Sequence, residues 1–353
     1  MTRLASDHAH RVVGLYGDPT VSWSILLEAE LSAAAPEPGK LRARLAAAVQ
    51  QYPHLGAVPE IELADDLPAV RDRFASEPYE RTAPLIRVAV RADALLVAAH
   101  HGALDGLGLL ALLGILLDVP VSSAATGIGP RGGGKPFVVS AVQRLAEAVF
   151  VPPGRIVPDR AAPSSGDVFA ARHEPRLRLG APGFVTAAAR ATERWNHSHG
   201  ARTARVVAAL GASRRSGAAP EPVHDSAFFR LRLGSRAADV AALLRTRPPE
   251  PDFPARSSRF ARLGTRLLAG RLGSTFLVSN LGLVSTVDTV RSLAFYPAAS
   301  GRSGVAFGAA TTGGTTTVTV RARRRDFDAP AAARLLAEFG DAVRDQASPR
   351  CRE

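Results

Sequence analysis

The sequence predicts a mixed α/β protein built as two lobes. Three observations carry that reading. The chain has 353 residues, which is long for one domain and comfortable for two. Hydrophobic residues make up 46% of it, enough to fill a sizeable core. Strand-like and helix-like runs alternate, and their order in the two halves is broadly similar although no internal repeat is visible. The expected division is residues 1–150, a connection over 151–180, and residues 181–353.

The elements follow from local pattern. Residues 21–31 read as a first strand. Leu41, Leu45, Ala48 and Val49 recur at helical spacing over 40–51, and Tyr52-Pro53 ends that helix. A second helix is expected over 67–75, strands over 85–90 and 95–99, and a Leu-rich helix over 107–117. Residues 121–136 are rich in Gly, Ser and Pro and read as a linker. Its GxxxxGK pattern (Gly129, Gly134, Lys135) lacks the Ser or Thr of a phosphate loop, because Pro136 follows. Helices are expected over 138–150, 184–196 and 237–245, with an irregular connection over 151–178. Strands are expected over 203–210, 228–233 and 275–279. Residues 305–312 and 315–321 form a hairpin across Gly313-Gly314. Asp328 caps a last helix that turns Leu335, Leu336 and Phe339 inward.

Composition narrows the function classes. The longest apolar run, 107–117, is far short of the about 20 residues a membrane span needs. The N-terminus has no apolar core of a secretion signal. Together these predict a cytoplasmic protein. The sole cysteine is Cys351, so an intramolecular disulfide and a cysteine-based metal site are excluded. The pairs His8/His10 and His197/His199 lack a third ligand, and no metal is expected. Forty-four basic against 32 acidic residues give a net charge of +12. Such a charge suits an anionic partner, although an arginine-rich coding bias produces it equally well. No aromatic residues interleave the basic runs, which argues against nucleic acid.

The most informative segment is His100-His101-Gly102-Ala103-Leu104-Asp105-Gly106, placed between the strand 95–99 and the helix 107–117. A histidine held at a strand-to-helix turn is suited to take and return a proton near neutral pH. Pro84-Leu85-Ile86-Arg87 precedes it, and Ser279-Asn280-Leu281-Gly282 lies far downstream. With these segments the chain resembles the HHxxxDG acyltransferase superfamily, the condensation domains and chloramphenicol-acetyltransferase-like enzymes. Tyr52-Pro53-His54-Leu55 resembles a further family signature, with Gly56 where that signature has arginine.

The resemblance implies two chloramphenicol-acetyltransferase-like lobes with an active-site tunnel between them. The N-terminal lobe carries the motif and the C-terminal lobe carries Ser279-Asn280. His101 is implied as general base, and His100 as structural. Asp105 would pair with an arginine, for which Arg87 is the candidate. Gly106 would permit the tight exit into the helix, and Ser279 and Asn280 would approach from the other lobe. The donor would be an acyl-CoA or an acyl carrier protein, each presenting a phosphopantetheine thioester, with no bound cofactor. The acceptor would be a small hydroxyl or amine compound of secondary or lipid metabolism, and an acidic carrier protein is a further expected partner. The chain is shorter than a usual condensation domain, so reduced tunnel-covering elements are expected. A catalytically degenerate carrier-binding module, and cyclisation or hydrolysis on the same fold, remain as alternatives.

Overall fold

The computed structural model describes residues 22–79, 84–129, 134, 136–161, 163–234, 239–251 and 273–347. His8, His10, Lys135 and Cys351 lie outside them. The elements run β1 Ser24–Leu31, α1 Pro38–Gln51, β2 Ile61–Leu63, α2 Leu67–Ser76, β3 Ile86–Arg91, β4 Ala94–His100, α3 Gly106–Leu117, β5 Val121–Ser123, α4 Phe137–Phe150, β6 Asp167–Pro175, α5 Ala181–Ser198, β7 Val206–Ser213, β8 Ser226–Leu233, α6 Val240–Thr246, β9 Phe276–Thr286, β10 Val290–Tyr296, β11 Val305–Thr312, β12 Thr315–Arg323 and α7 Ala329–Ala347.

Two mixed sheets result, each with helices against it. The first has the order β10-β1-β4-β3-β2, and the second β6-β12-β11-β9-β7-β8 with β5 added along β9. Strand β4 is buried along its whole length. Its Leu95, Val97 and Ala99 face the core under α1 and α3, while Ala94, Leu96 and Ala98 face that under α2. Covering both faces explains why this strand reads as an unbroken apolar run rather than an alternation. Helix α3 is apolar all round because it is buried nearly all round. The second sheet carries its own core against α5 and α7, around Phe184, Trp195, Phe307 and Phe339. Ala331 N–H donates to the Asp328 carboxylate at 2.9 Å, the cap expected at the start of α7.

Several expected boundaries change. The 121–136 linker begins with β5, which pairs antiparallel with Val284–Thr286 of β9. The irregular connection over 151–178 contains β6, which pairs along its whole length with β12. As an edge strand it leaves charged residues such as Arg172 half-exposed, and its alternation is hidden among Arg, His and Glu. Strand β9 extends well beyond Ser279. Strand β10, from the C-terminal half, returns to the first sheet and pairs antiparallel with β1. The chain therefore crosses between lobes more than once.

Two contacts lock the lobes. The fully buried Arg321 of β12 donates to Asp167 at 2.7 Å, to the Ser24 carbonyl at 2.5 Å and to Ser22 Oγ at 3.1 Å. It thus neutralises a carboxylate of its own lobe and satisfies main-chain oxygen of the other. At Gly308 the Phe295 carbonyl of β10 comes so close that an added Cβ would lie 2.1 Å from it. Thr319 donates its hydroxyl to the same carbonyl at 2.5 Å.

Removing one partner of a buried ion pair leaves the other charge uncompensated. Arg321→Ala is expected to cost about 3–5 kcal/mol, seen as a lower urea midpoint. An unchanged midpoint would show that the buried guanidinium does not hold the lobes.

Candidate active site at the lobe junction

The first sheet delivers the motif. Strand β4 ends at His100, the turn occupies 101–105, and α3 starts at Gly106. The ring of His100 is buried edge-to-face against Tyr79, with centroids 5.4 Å apart. Its Nδ1 accepts from the Gly102 N–H at 3.1 Å, so its ring proton sits on Nε2. Burial and the adjacent His101 push its pKa down to about 4. His100 is a neutral strut of the turn.

His101 is anchored differently. Its main-chain N–H donates to the Trp23 carbonyl at 2.7 Å. Its Nδ1 lies 3.2 Å from the Leu104 carbonyl. A carbonyl only accepts, so Nδ1 carries the proton and Nε2 carries the lone pair. Burial lowers the pKa of the ring, while the Leu104 carbonyl and the Asp105 charge hold it up. A neutral imidazole with a basic Nε2 follows. Two rings of the second lobe stand edge-to-face against it, His224 at 5.3 Å and Phe228 at 5.8 Å.

Among the described residues Asp105 pairs with no arginine. Its Oδ1 accepts from the Gly108 N–H at 2.8 Å, capping α3, and its Oδ2 accepts from the Asp225 N–H at 2.9 Å. Both oxygens thus take main-chain amides, the second from the other lobe. Arg87 is elsewhere: it donates to the carbonyls of Phe74, Glu77 and Pro78 at 2.8–2.9 Å. These carbonyls lie at and just past the end of α2, which a guanidinium suits. Its guanidinium lies 4.0 Å from the centre of the Tyr79 ring, and it reaches the site only through Tyr79 and His100. Gly106 packs closely for a reason other than a tight exit. A Cβ there would lie 2.7 Å from Leu281 Cδ2 and 3.3 Å from Phe295 Cζ, both from the C-terminal half.

The second lobe supplies the facing wall. Phe228 pairs with Gly211, Gly211 with Ser279, and Ser279 with Gly308. A Cβ on Gly211 would sit 3.5 Å from Ser279 Oγ and 3.7 Å from Phe228 Cε1. The three residues therefore share one face of the sheet, the one on which Phe228 meets His101. Asn280, one residue on, is in the row of Ala309, which belongs to the helix-covered core. Its Oδ1 accepts from the Gly282 N–H at 2.9 Å, where the register with β11 shifts and Gly282 has φ +77°. The structure brings Ser279 to the His101 side and uses Asn280 to shape a bulge. His224 and Phe228 were not legible as site residues. His224 stands in a polar loop with no motif around it, and Phe228 reads only as part of a strand.

Among the described residues no group of three or more His, Cys, Asp or Glu side chains gathers as a metal site, and no helix is long and apolar enough to cross a membrane.

No protein-family model matches the sequence, and no curated protein matches it. Solved structures do match in fold. The starter condensation domain of rhizomide synthetase, in a variant complexed with C8-CoA, superimposes with a TM-score of 0.57 at 16% identity. That match covers 97% of this chain and 93% of the other. A variant of the same domain holding C8-CoA and Leu-SNAC gives 0.56 at 15% identity, over 97% and 92%. The epimerization domain from the third module of tyrocidine synthetase B gives 0.52 at 14%, over 92% and 90%. The chain has the condensation-domain fold and spans both of its lobes.

Two predictions arise here. The first concerns Asp105→Asn, which keeps an acceptor for the helix cap but places an N–H against the Asp225 N–H. It is expected to cost about 1.5–3 kcal/mol and to lower the His101 titration midpoint, since the Asp105 charge raises it. Histidine NMR titration with urea unfolding checks both. The second concerns acid. Unfolded, His100 and His224 bind protons below about pH 6.5; folded, only below about 4 and about 3. The unfolded state therefore holds more protons in between. Stability should be fullest above pH 6.5 and fall towards pH 4, by up to about 1.4 kcal/mol per pH unit for each histidine. A flat profile from pH 7 to 4.5 would contradict the buried neutral rings.

Proposed function

We propose that this chain is a condensation-type acyltransferase. It moves an acyl group from a phosphopantetheine thioester to an amine or hydroxyl, with His101 as general base. The observation that carries this is the anchoring of His101. Its proton is committed to the Leu104 carbonyl through Nδ1, which leaves a basic Nε2 at the junction of the two lobes.

The reaction needs no further group. The acceptor's N or O attacks the thioester carbonyl while His101 Nε2 takes its proton. The carbonyl oxygen gains negative charge, and the Ser279 hydroxyl, on the sheet face shared with Phe228, is proposed as its donor. Collapse breaks the C–S bond, and the imidazolium returns its proton to the departing thiolate. On this reading a tunnel between the lobes admits donor and acceptor. Residues 1–150 carry the base, and 181–353 carry the facing wall, apart from β10. The solved domains that hold C8-CoA and Leu-SNAC share the fold, and the charge of +12 suits an anionic CoA or carrier protein.

The test is incubation with a panel of acyl-CoAs and acylated carrier proteins, with amine and alcohol acceptors, read by mass spectrometry. Acyl transfer is expected, and His101→Ala should lower it by about 10²–10⁴-fold while the protein stays folded. Wild-type turnover in that variant would sink the mechanism. A folded protein that transfers nothing but binds acylated carrier protein would make it a non-catalytic module. If the arginine charge steers the donor, the second-order rate constant should fall as salt rises while turnover changes little. A rate indifferent to salt would remove the charge from the recognition step.

A further inference from the structure

The loop between β7 and β8 belongs to the second lobe, yet it runs along the motif. Asp105 N–H approaches the Val223 carbonyl at 3.4 Å, and Asp225 N–H donates to Asp105 Oδ2 at 2.9 Å. The His54 ring donates to the Pro222 carbonyl at 2.8 Å. Gly108 makes room for the loop, since a Cβ there would lie 2.4 Å from the Val223 carbonyl. Further back, Ser123 N–H donates to the Gly217 carbonyl at 2.7 Å, and Gly217 N–H to Ala125 at 2.6 Å. His224 is therefore held between two residues that are both fastened to the Asp105 turn. Its ring stands perpendicular to the His101 imidazole at 5.3 Å, near enough to the His101 main chain for that backbone to raise its pKa.

We propose that His224 is the positioning residue for the base: it clamps the His101 backbone and ring from the opposite lobe, so that the base is set only when the lobes are joined. This rests on the proposed acyl transfer. The chemistry fits a ring that supports without competing. Burial, together with His101, Arg214 and His100, depresses the His224 pKa to about 3. It stays neutral when His101 takes a proton, and adds no positive charge beside the new imidazolium. The other charged groups around the pair are Asp105 on the motif turn and Asp225 in the loop. Asp225 is shared by Arg214 at 3.8 Å and Arg215 at 3.6 Å. A clamp of this kind acts through geometry, and small misplacement of a reacting group costs up to about 10²-fold in rate.

Three variants separate the parts. His224→Phe keeps a ring and loses its polar nitrogens, His224→Gln keeps a polar side chain and loses the ring, and His224→Ala loses both. In the free protein, the His101 titration midpoint by NMR should rise in His224→Ala, because water reaches a ring that burial now depresses, and return in His224→Phe. In turnover, His224→Ala should lower kcat by roughly 10–100-fold with little change in donor KM, and His224→Gln should recover part of it. An unmoved His101 titration in His224→Ala overturns the clamp. So does a loss of kcat that neither Phe nor Gln relieves, which would mark a merely structural role. A shifted titration in a protein whose wild type transfers no acyl group would keep the clamp and overturn the proposed function instead.

Discussion

The carboxylate of Asp105 is the point on which the site depends. Its two oxygens serve two lobes at once, one the Gly108 amide in the first turn of α3 and the other the Asp225 amide of the loop that leads into β8. A buried carboxylate needs its oxygens hydrogen-bonded, and here main-chain amides do this where a guanidinium was expected. The consequence is mechanical. The turn that carries His101 is fixed by the same group that fastens the opposite wall to it, so His101 and that wall keep their spacing.

Around that point the lobes meet through absent side chains. Gly106 leaves room for Leu281, Gly108 for the Val223 carbonyl, and Gly308 for the Phe295 carbonyl. Each contact brings backbone or apolar carbon of one lobe into the place of a methyl group on the other. Arg321 supplies the polar counterpart, a buried charge whose partners come from β6 and β1. Beside the close contacts, Gly211 and Ser279 keep the sheet face small next to Phe228, where His101 stands.

The histidines show how environment divides roles within one motif. His100 and His101 are neighbours in sequence with the same intrinsic chemistry. Strand alternation turns His100 towards Tyr79 and the core, where it accepts an amide proton on Nδ1. His101 turns to the junction and donates from Nδ1. Opposite tautomers follow, and only one of them offers a basic Nε2 between the lobes.

The sequence by itself determined the local elements and singled out His101. The apolar run of β4, the all-round apolar α3, the Gly313-Gly314 hairpin and the Asp328 cap are short-range patterns, and each formed as its residues dictate. His101 was legible because its motif is contiguous. Tertiary structure decided the rest. The partner of Asp105, the diversion of Arg87 to the end of α2, the role of Asn280 in a bulge and the arrival of His224 all depend on residues more than 100 positions away, or on which face of a strand a side chain takes. β6 and β5 were hidden because edge strands and three-residue strands carry too few buried positions to show an alternation. Propensity and periodicity report what a segment does with its own neighbours; which lobe it meets is set by the packing of the whole chain.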